Sequence, residues 1–357
     1  MKELIIIQTT TPDYRKAFFD EIRKELGANF KLYRGSRYFE QTVVTDNSIM
    51  ATDCSNHFIL GRKLLFQTGI WQIAFSKAVV VLEMNPRIIS NWILLVLRKL
   101  SGKQTVLWGH AWPRKGQNSK SDILRHNMRK LASAIITYTE KQQRELQEYM
   151  PHKTIYAAPN AVFSKSIMYK ATNQKPKNLI YVGRLTALKK PMFLVRAFNE
   201  GLPHFPSDMN LIIVGSGNEE ESLRKYIEKH NLSTRVRLLG HLSDIDSLRD
   251  LYAHSIVSIS PGYVGLSVTQ SFGFGVPMLV SKDENHSPEI EAIREQENAL
   301  YFNTDDLVSF RESVLKLLNN KEYWISKRPE IQSFCRENYS VEVMAQVFTN
   351  LVKMYDA

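Results

Sequence analysis

The chain has 357 residues, 43% hydrophobic and 23% charged, with two cysteines, Cys54 and Cys335. These proportions exclude a wholly disordered chain, a collagen-like repeat and a disulfide-stapled mini-protein. The net charge is +11 and unevenly spread: residues 1–170 hold 26 Lys+Arg and 13 Asp+Glu (+13), residues 171–357 hold 21 and 23 (−2). Length predicts two domains. The opening MKELIIIQTTTPDY lacks the apolar core of a signal peptide, and no stretch reaches the ~18 apolar residues of a membrane span. The expectation is a soluble cytoplasmic protein without a disulfide framework. Its basic half is either solvated or turned toward something anionic, nucleic acid or the cytoplasmic leaflet.

The predicted elements alternate. A strand at Leu4–Gln8 is followed by a helix at Pro12–Leu26, with Ala17, Phe18, Ile22 and Leu26 at helical spacing, and by a strand at Phe30–Tyr33. Ala78–Leu82 is all apolar and reads as a buried parallel strand. Then come helix Ile88–Leu100, strand Thr105–Trp108, helix Ser121–Leu131, strand Ala134–Tyr138, helix Glu140–Met150 and strand Thr154–Ala157. Residues 163–177 are polar and aperiodic. The linker is placed at 166–177, between an N-terminal domain at 1–165 and a C-terminal domain at 178–338. The alternation restarts with strand Asn178–Val182, helix Pro191–Asn199, strand Asn210–Val214, helix Glu219–His230, strand Arg235–Leu239, helix Asp244–Ala253, strand Ile256–Ser260, helix Ser267–Phe274 and strand Pro277–Val280. Val341–Tyr355 reads as an amphipathic helix with Met344, Val347, Phe348, Leu351 and Met354 on one side. Segment 339–357 is expected to pack back on the first domain. The expected class is α/β, two doubly wound parallel-sheet (Rossmann-like) domains facing a central cleft.

Ligands of such folds bind at the carboxyl ends of strands, so the loops after strands carry the chemistry. In Tyr181-Val-Gly-Arg-Leu-Thr-Ala-Leu-Lys-Lys-Pro191, Gly183 lets the chain turn, and Arg184 and Lys189 follow. A planar guanidinium and a mobile ammonium suit a diphosphate, or the stretch is an ordinary basic loop. Val214-Gly-Ser-Gly217 is followed by three glutamates, which favours a tight strand-to-helix turn over a phosphate loop. Ser260-Pro-Gly-Tyr-Val-Gly-Leu-Ser267 combines close backbone approach with the start of a helix, whose free N–H groups suit an anion.

Taken together, GRL–xxx–K, GSG, RVRLLGHL and SPGYVGLSVTQSFGFGVPML resemble the donor domain of glycosyltransferase family 4, of GT-B fold. The resemblance is strong over about 178–300. In the first half, TTTPDYRKAFFDEI, LWGHAWPRK, TYTEKQ and APNAV are similar to members that build bacterial surface polysaccharides. The resemblance implies that Arg184 and Lys189 hold a nucleotide diphosphate. It implies that amides of Gly265, Leu266 and Ser267 approach the phosphates and sugar, and that Gly240 and His241 lie beside the base. It also implies that His110 contacts the donor sugar. The family's two glutamates fall at Gly262 and Gln270 in this chain. Gln270 keeps hydrogen-bonding capacity for the ribose; Gly262 has no side chain to offer the sugar.

Acceptor candidates are Tyr14, Arg15, Glu83, and the pair Arg125 and Arg129, four apart on one helix face and otherwise simply solvated. His110 could equally be a hydrogen-bonded surface residue. Asp244 and Asp246 open a helix and read as N-cap residues, not as a metal site, so neither metal nor cofactor is expected.

The reading implied is a retaining glycosyltransferase without metal dependence. It would move sugar from a UDP- or GDP-sugar to a saccharide on polyprenyl diphosphate, peripheral on the inner face of the plasma membrane. Trp92, Arg98 and Lys99 are candidates for docking on that anionic surface. No nucleic-acid motif accompanies the charge. The alternatives are an epimerase-like GT-B enzyme and a non-catalytic nucleotide-sugar binder.

Overall fold

Stretches of four or five apolar residues, spaced by amphipathic helices, can bury both faces only inside a covered parallel sheet. The computed structural model describes residues 1–40, 43–113, 116–168 and 175–356. The strands are β1 (Leu4–Gln8), β2 (Phe30–Arg34), β3 (Thr52–Asp53), β4 (Ser55–Ile59), β5 (Leu64–Thr68), β6 (Val79–Glu83), β7 (Thr105–Trp108), β8 (Ala134–Thr137) and β9 (Thr154–Ala157). They alternate with α1 (Lys16–Leu26), α2 (Ile89–Leu100), α3 (Lys120–Leu131) and α4 (Glu140–Tyr149). After residue 175 come β10 (Asn178–Val182), α5 (Pro191–Gly201), β11 (Leu211–Val214), α6 (Glu220–Lys229), β12 (Val236–Leu238), α7 (Ile245–Ala253) and β13 (Ser255–Ser260). Then follow α8 (Ser267–Gly273), β14 (Met278–Ser281), β15 (Ala299–Phe302), α9 (Leu307–Asn319), α10 (Lys321–Asn338) and α11 (Val341–Asp356).

The chain divides into two compact units. Unit 1 is Met1–Val162 with Ser340–Ala357, and unit 2 is Phe163–Tyr339. Among the described residues, unit 1 has a parallel sheet ordered β3-β2-β1-β6-β7-β8-β9, with β4 and β5 as a separate antiparallel hairpin. Unit 2 has a parallel sheet ordered β12-β11-β10-β13-β14-β15. Each order reverses beside its first strand, so a crevice opens at the carboxyl ends of β1/β6 and of β10/β13.

Helix ends follow their cap residues. Thr139 accepts from the Gln142 N–H, Asp244 from Ser247 and Asp306 from Ser309, each satisfying an orphan donor of a first turn. Helix α11 lies in the core of unit 1, where Phe348 packs edge-on against Phe18 and Trp108 at 5.0 Å each. Met354, assigned to its apolar side, is 56% exposed instead.

Two boundaries need correction. The helix read from Pro12 is a 3-10 turn at Asp13–Arg15 before α1. Phe163, assigned to the first domain, and Met168, assigned to the linker, are buried in unit 2, with Phe163 against Phe274 at 4.9 Å. Linker residues 169–174 lie outside the described residues. Cys54 and Cys335 are free, buried thiols. Among the described residues no helix is long and apolar enough to cross a membrane.

Arg98 is a larger correction. It is 0% exposed, with its guanidinium donating to Thr105 Oγ1 at 3.0 Å and to the carbonyls of Ile73, Ala78 and Gln104 at 2.6–2.8 Å. Burial pulls its pKa down to about 10. It ties α2 to the ends of β6 and β7 and cannot face a membrane. Trp92 likewise turns its indole N–H to the Pro86 carbonyl at 3.1 Å.

Candidate active site

In unit 2 three strand-end loops stack side by side. Gly183 after β10 donates to the Val214 carbonyl at 3.0 Å, and Gly215 after β11 donates to the Gly240 carbonyl at 2.7 Å. Gly215 has φ +142°, and a Cβ there would lie 1.9 Å from the Gly183 oxygen, so only glycine fits. Beside Gly240 and the exposed His241, an open hollow of about 460 Å³ is lined by Leu239, Leu242, Asp246, Ser247, Asp250 and Leu251.

Arg184 follows Gly183 and is exposed; Tyr181 donates its hydroxyl hydrogen to the Arg184 carbonyl at 2.8 Å. A 3-10 turn at Ala187–Lys189 then presents Lys189, and Lys190, in the left-handed region at φ +51°, leads into Pro191 at the first turn of α5. Both cations converge on Tyr263. Arg184 Nη2 donates to its hydroxyl at 3.3 Å, while Lys189 Nζ donates to its carbonyl at 2.8 Å and sits 3.7 Å from its ring centroid. Burial, with the Arg184 charge beside it, pushes Lys189 down to about 8; buried Glu289 opposes the shift. The loop after β13 completes the group: a Cβ on Gly265 would stand 3.6 Å from Lys189 Nζ. The half-buried Ser267 and Gln270 lie on α8. Leu266 precedes that helix, and its carbonyl accepts from the Gln270 N–H at 3.0 Å.

Gly262, at the place of the resemblance's first glutamate, is buried against the Leu188–Lys189 turn. A Cβ there would come within 2.3 Å of the Leu188 oxygen. No side chain fits without moving the loop, so the residue serves close backbone approach.

Sequence reasoning missed Tyr263, His286 and Glu289. Tyr263 stood inside a quoted motif, but nothing in its spacing says that its ring lies under a lysine. His286 braces the loop from outside: its Nδ1 accepts from the Val264 N–H at 3.1 Å and its Nε2 donates to the Ser281 carbonyl at 3.0 Å.

In unit 1, exposed His110 follows β7 and its ring lies 4.7 Å from that of Tyr138. Glu83 ends β6 and accepts from the Thr9 N–H; burial raises its carboxyl above the usual range. Three acceptor assignments are corrected. Arg129 is 0% exposed, paired to Asp122 at 2.7 Å and bonded to the Ala111 carbonyl, so it locks α3 to the β7 loop rather than meeting an acceptor. Its four-residue partner Arg125 turns inward to the His110 carbonyl, with burial pulling its pKa to about 10. Arg15 is buried over Trp108 at 5.1 Å, while Tyr14 stays partly exposed.

Residues 165–331 match the family described as glycosyl transferases group 1. The matched stretch lies within unit 2. An uncharacterized glycosyltransferase of Haemophilus influenzae is 25% identical over 61% of this chain and 60% of its own length. The GtfA subunit of a Streptococcus pneumoniae UDP-N-acetylglucosamine–peptide N-acetylglucosaminyltransferase is 31% identical over 40% of this chain and 29% of its own. The chain thus matches less than two thirds of either relative. Anabaena HepE in complex with UDP is 14% identical, with TM-score 0.74 over 99% of this chain and 100% of that one. The fold is GT-B, two doubly wound α/β units.

Proposed function

We propose that the protein is a retaining glycosyltransferase that takes sugar from a UDP-sugar. The observation that carries this is the convergence of Arg184 and Lys189 on Tyr263 beside Gly265, within a group 1 domain. Two preorganised positive groups stabilise a leaving diphosphate where charge develops. The bond from the anomeric carbon to the β-phosphate oxygen breaks, a bond to the acceptor oxygen forms on the same face, and the acceptor proton passes to the departing phosphate. The open hollow beside Gly240 and His241, lined by leucines and by Asp246, Ser247 and Asp250, takes the base in this reading. Gln270 bonds the ribose. His110, after β7 of unit 1, is the further catalytic candidate that the resemblance gives. UDP as nucleotide is supported by the ligand of HepE and the donor named for GtfA.

The acceptor in this reading is a saccharide on a lipid diphosphate at an anionic membrane surface. Its support is the basic excess of residues 1–170 together with the outer side of α2. There Ile93, Val96 and Leu100 are exposed at helical spacing beside exposed Lys99. GtfA's peptide acceptor is the competing class.

The test is release of nucleoside diphosphate from a panel of UDP- and GDP-sugars, without acceptor, with a lipid-diphosphate saccharide and with a Ser/Thr-rich peptide, all in excess EDTA. Acceptor-dependent UDP release with the lipid substrate is expected. A divalent-metal requirement overturns the metal-free reading, and turnover with peptide alone overturns the lipid acceptor. Interconversion of a free nucleotide sugar overturns transfer itself.

A further inference from the structure

We propose that His286 is a positioning residue that holds the 262–266 loop in its diphosphate-binding shape, and that it does so only as the neutral imidazole. The proposal rests on the donor reading above.

The two partners of the ring dictate its state. A backbone N–H can only donate and a carbonyl can only accept. The Val264 N–H points at Nδ1 from 3.1 Å, so Nδ1 carries the lone pair. The Ser281 carbonyl lies 3.0 Å from Nε2, so Nε2 carries the hydrogen. One protonation state satisfies both. The next residue completes the brace, because the Ser287 N–H donates to the Val264 carbonyl at 3.2 Å. Both backbone groups of Val264 are therefore held by residues 286–287, and its side chain is fully buried. Val264 sits between Tyr263, on which Arg184 and Lys189 converge, and Gly265, beside Lys189 Nζ. A shift of Val264 moves both.

Protonation would put a hydrogen on Nδ1 facing the Val264 N–H, turning an attraction into an opposition of two donors. The charged groups facing the ring are Glu284 from its own turn and Lys189 from the 3-10 turn after β10. Glu284 is engaged by Lys190 at 2.7 Å. Burial and Lys189 disfavour the imidazolium, Glu284 and the Ser281 and Lys282 backbone favour it, and the net direction is below the ordinary histidine value. The brace is therefore intact at neutral pH and opens on the acid side.

The experiment titrates wild type, His286→Asn and His286→Ala with UDP from pH 7.5 to 5.0, beside a melting curve for each. Asn places an acceptor oxygen where Nδ1 stands and does not titrate. The terminal phosphate of UDP protonates near pH ~6 against all three proteins, so the difference between wild type and the Asn variant isolates the imidazole. The expected result is a loss of about five- to tenfold in UDP affinity for His286→Ala at pH 7.5, one hydrogen bond's worth. His286→Asn should stay near wild type there, and wild type should fall several-fold more steeply than the Asn variant toward pH 5. Parallel profiles for wild type and His286→Asn overturn the proposal, as does a His286→Ala protein that melts lower yet binds UDP like wild type; both leave the donor reading standing. Absence of UDP binding by wild type at pH 7.5 removes the donor reading and this inference with it.

Discussion

Arg98 and Arg129 in unit 1 and Arg184 and Lys189 in unit 2 are equal contributors to a charge count and opposites in structure. Arg98 and Arg129 are 0% exposed, with every named bond running to carbonyls, a hydroxyl or Asp122. Arg184 is exposed and Lys189 half-buried, and both lean on a tyrosine beside a glycine loop. Desolvation is offset in unit 1 by many fixed acceptors, so the charge is spent on holding elements together. In unit 2 the pair leans on Tyr263 beside the loop to which the proposed function assigns an anion. A surplus of +13 over residues 1–170 is thus not +13 of surface. The part that can meet a membrane lies on outer residues such as Lys99, not on Arg98.

The contrast is broken most severely at Arg98. Arg98→Ala strands several buried carbonyls and leaves a cavity, an expected loss of about 3–5 kcal/mol in chemical denaturation; a variant as stable as wild type would make the guanidinium idle. Arg184→Ala and Lys189→Ala should do the reverse, cutting turnover by ~10²–10³ with unchanged melting, as for loss of a charge-stabilising group. Wild-type turnover in both would remove the diphosphate assignment.

Gln270→Ala leaves ribose hydroxyls short of a partner, with an expected loss of roughly 1–3 kcal/mol in UDP titration. A lower melting point with unchanged affinity would make Gln270 a packing residue. Lys189 supplies a pH test of opposite sign to that of His286. Its pKa, pushed down to about 8, means that it loses its proton as pH rises through 8. UDP affinity should therefore weaken from pH 7.5 to 9.5, and Lys189→Arg, which stays charged, should flatten that profile. Folding stability moves the other way, since between about 8 and 10.5 the unfolded chain binds more protons and stability from this group rises with pH. The smallest effect is at the surface: Lys99→Glu should weaken binding to anionic vesicles by about fivefold to thirtyfold at low salt, at ~1 kcal/mol per charge removed or reversed, and less at high salt. Equal binding to neutral vesicles would sink electrostatic docking.

Much of the architecture was legible because its signals are local. Apolar runs mark β6, β8, β11 and β14 as strands buried on both faces, and Thr105–Trp108, Thr154–Ala157 and Asn178–Val182 start and stop where their composition changes. The β4–β5 hairpin was not read, since its half-exposed residues show no buried run. Nor were β15, α9 and α10, which lie beyond the last quoted motif.

The sequence by itself determined the parallel α/β class, the glycine turns after the strands and the candidacy of Arg184, Lys189 and Gly265, because backbone freedom, burial pattern and residue chemistry are properties of short segments. Only the tertiary structure decided which cations are sealed inside the fold and which stand at the glycine loop. It buried Arg98 and Arg129 among carbonyls, set Tyr263 under Lys189 and brought His286 to the Val264 N–H from 22 residues away. Desolvation and hydrogen-bond direction depend on what surrounds a group in space, and no spacing along the chain encodes that.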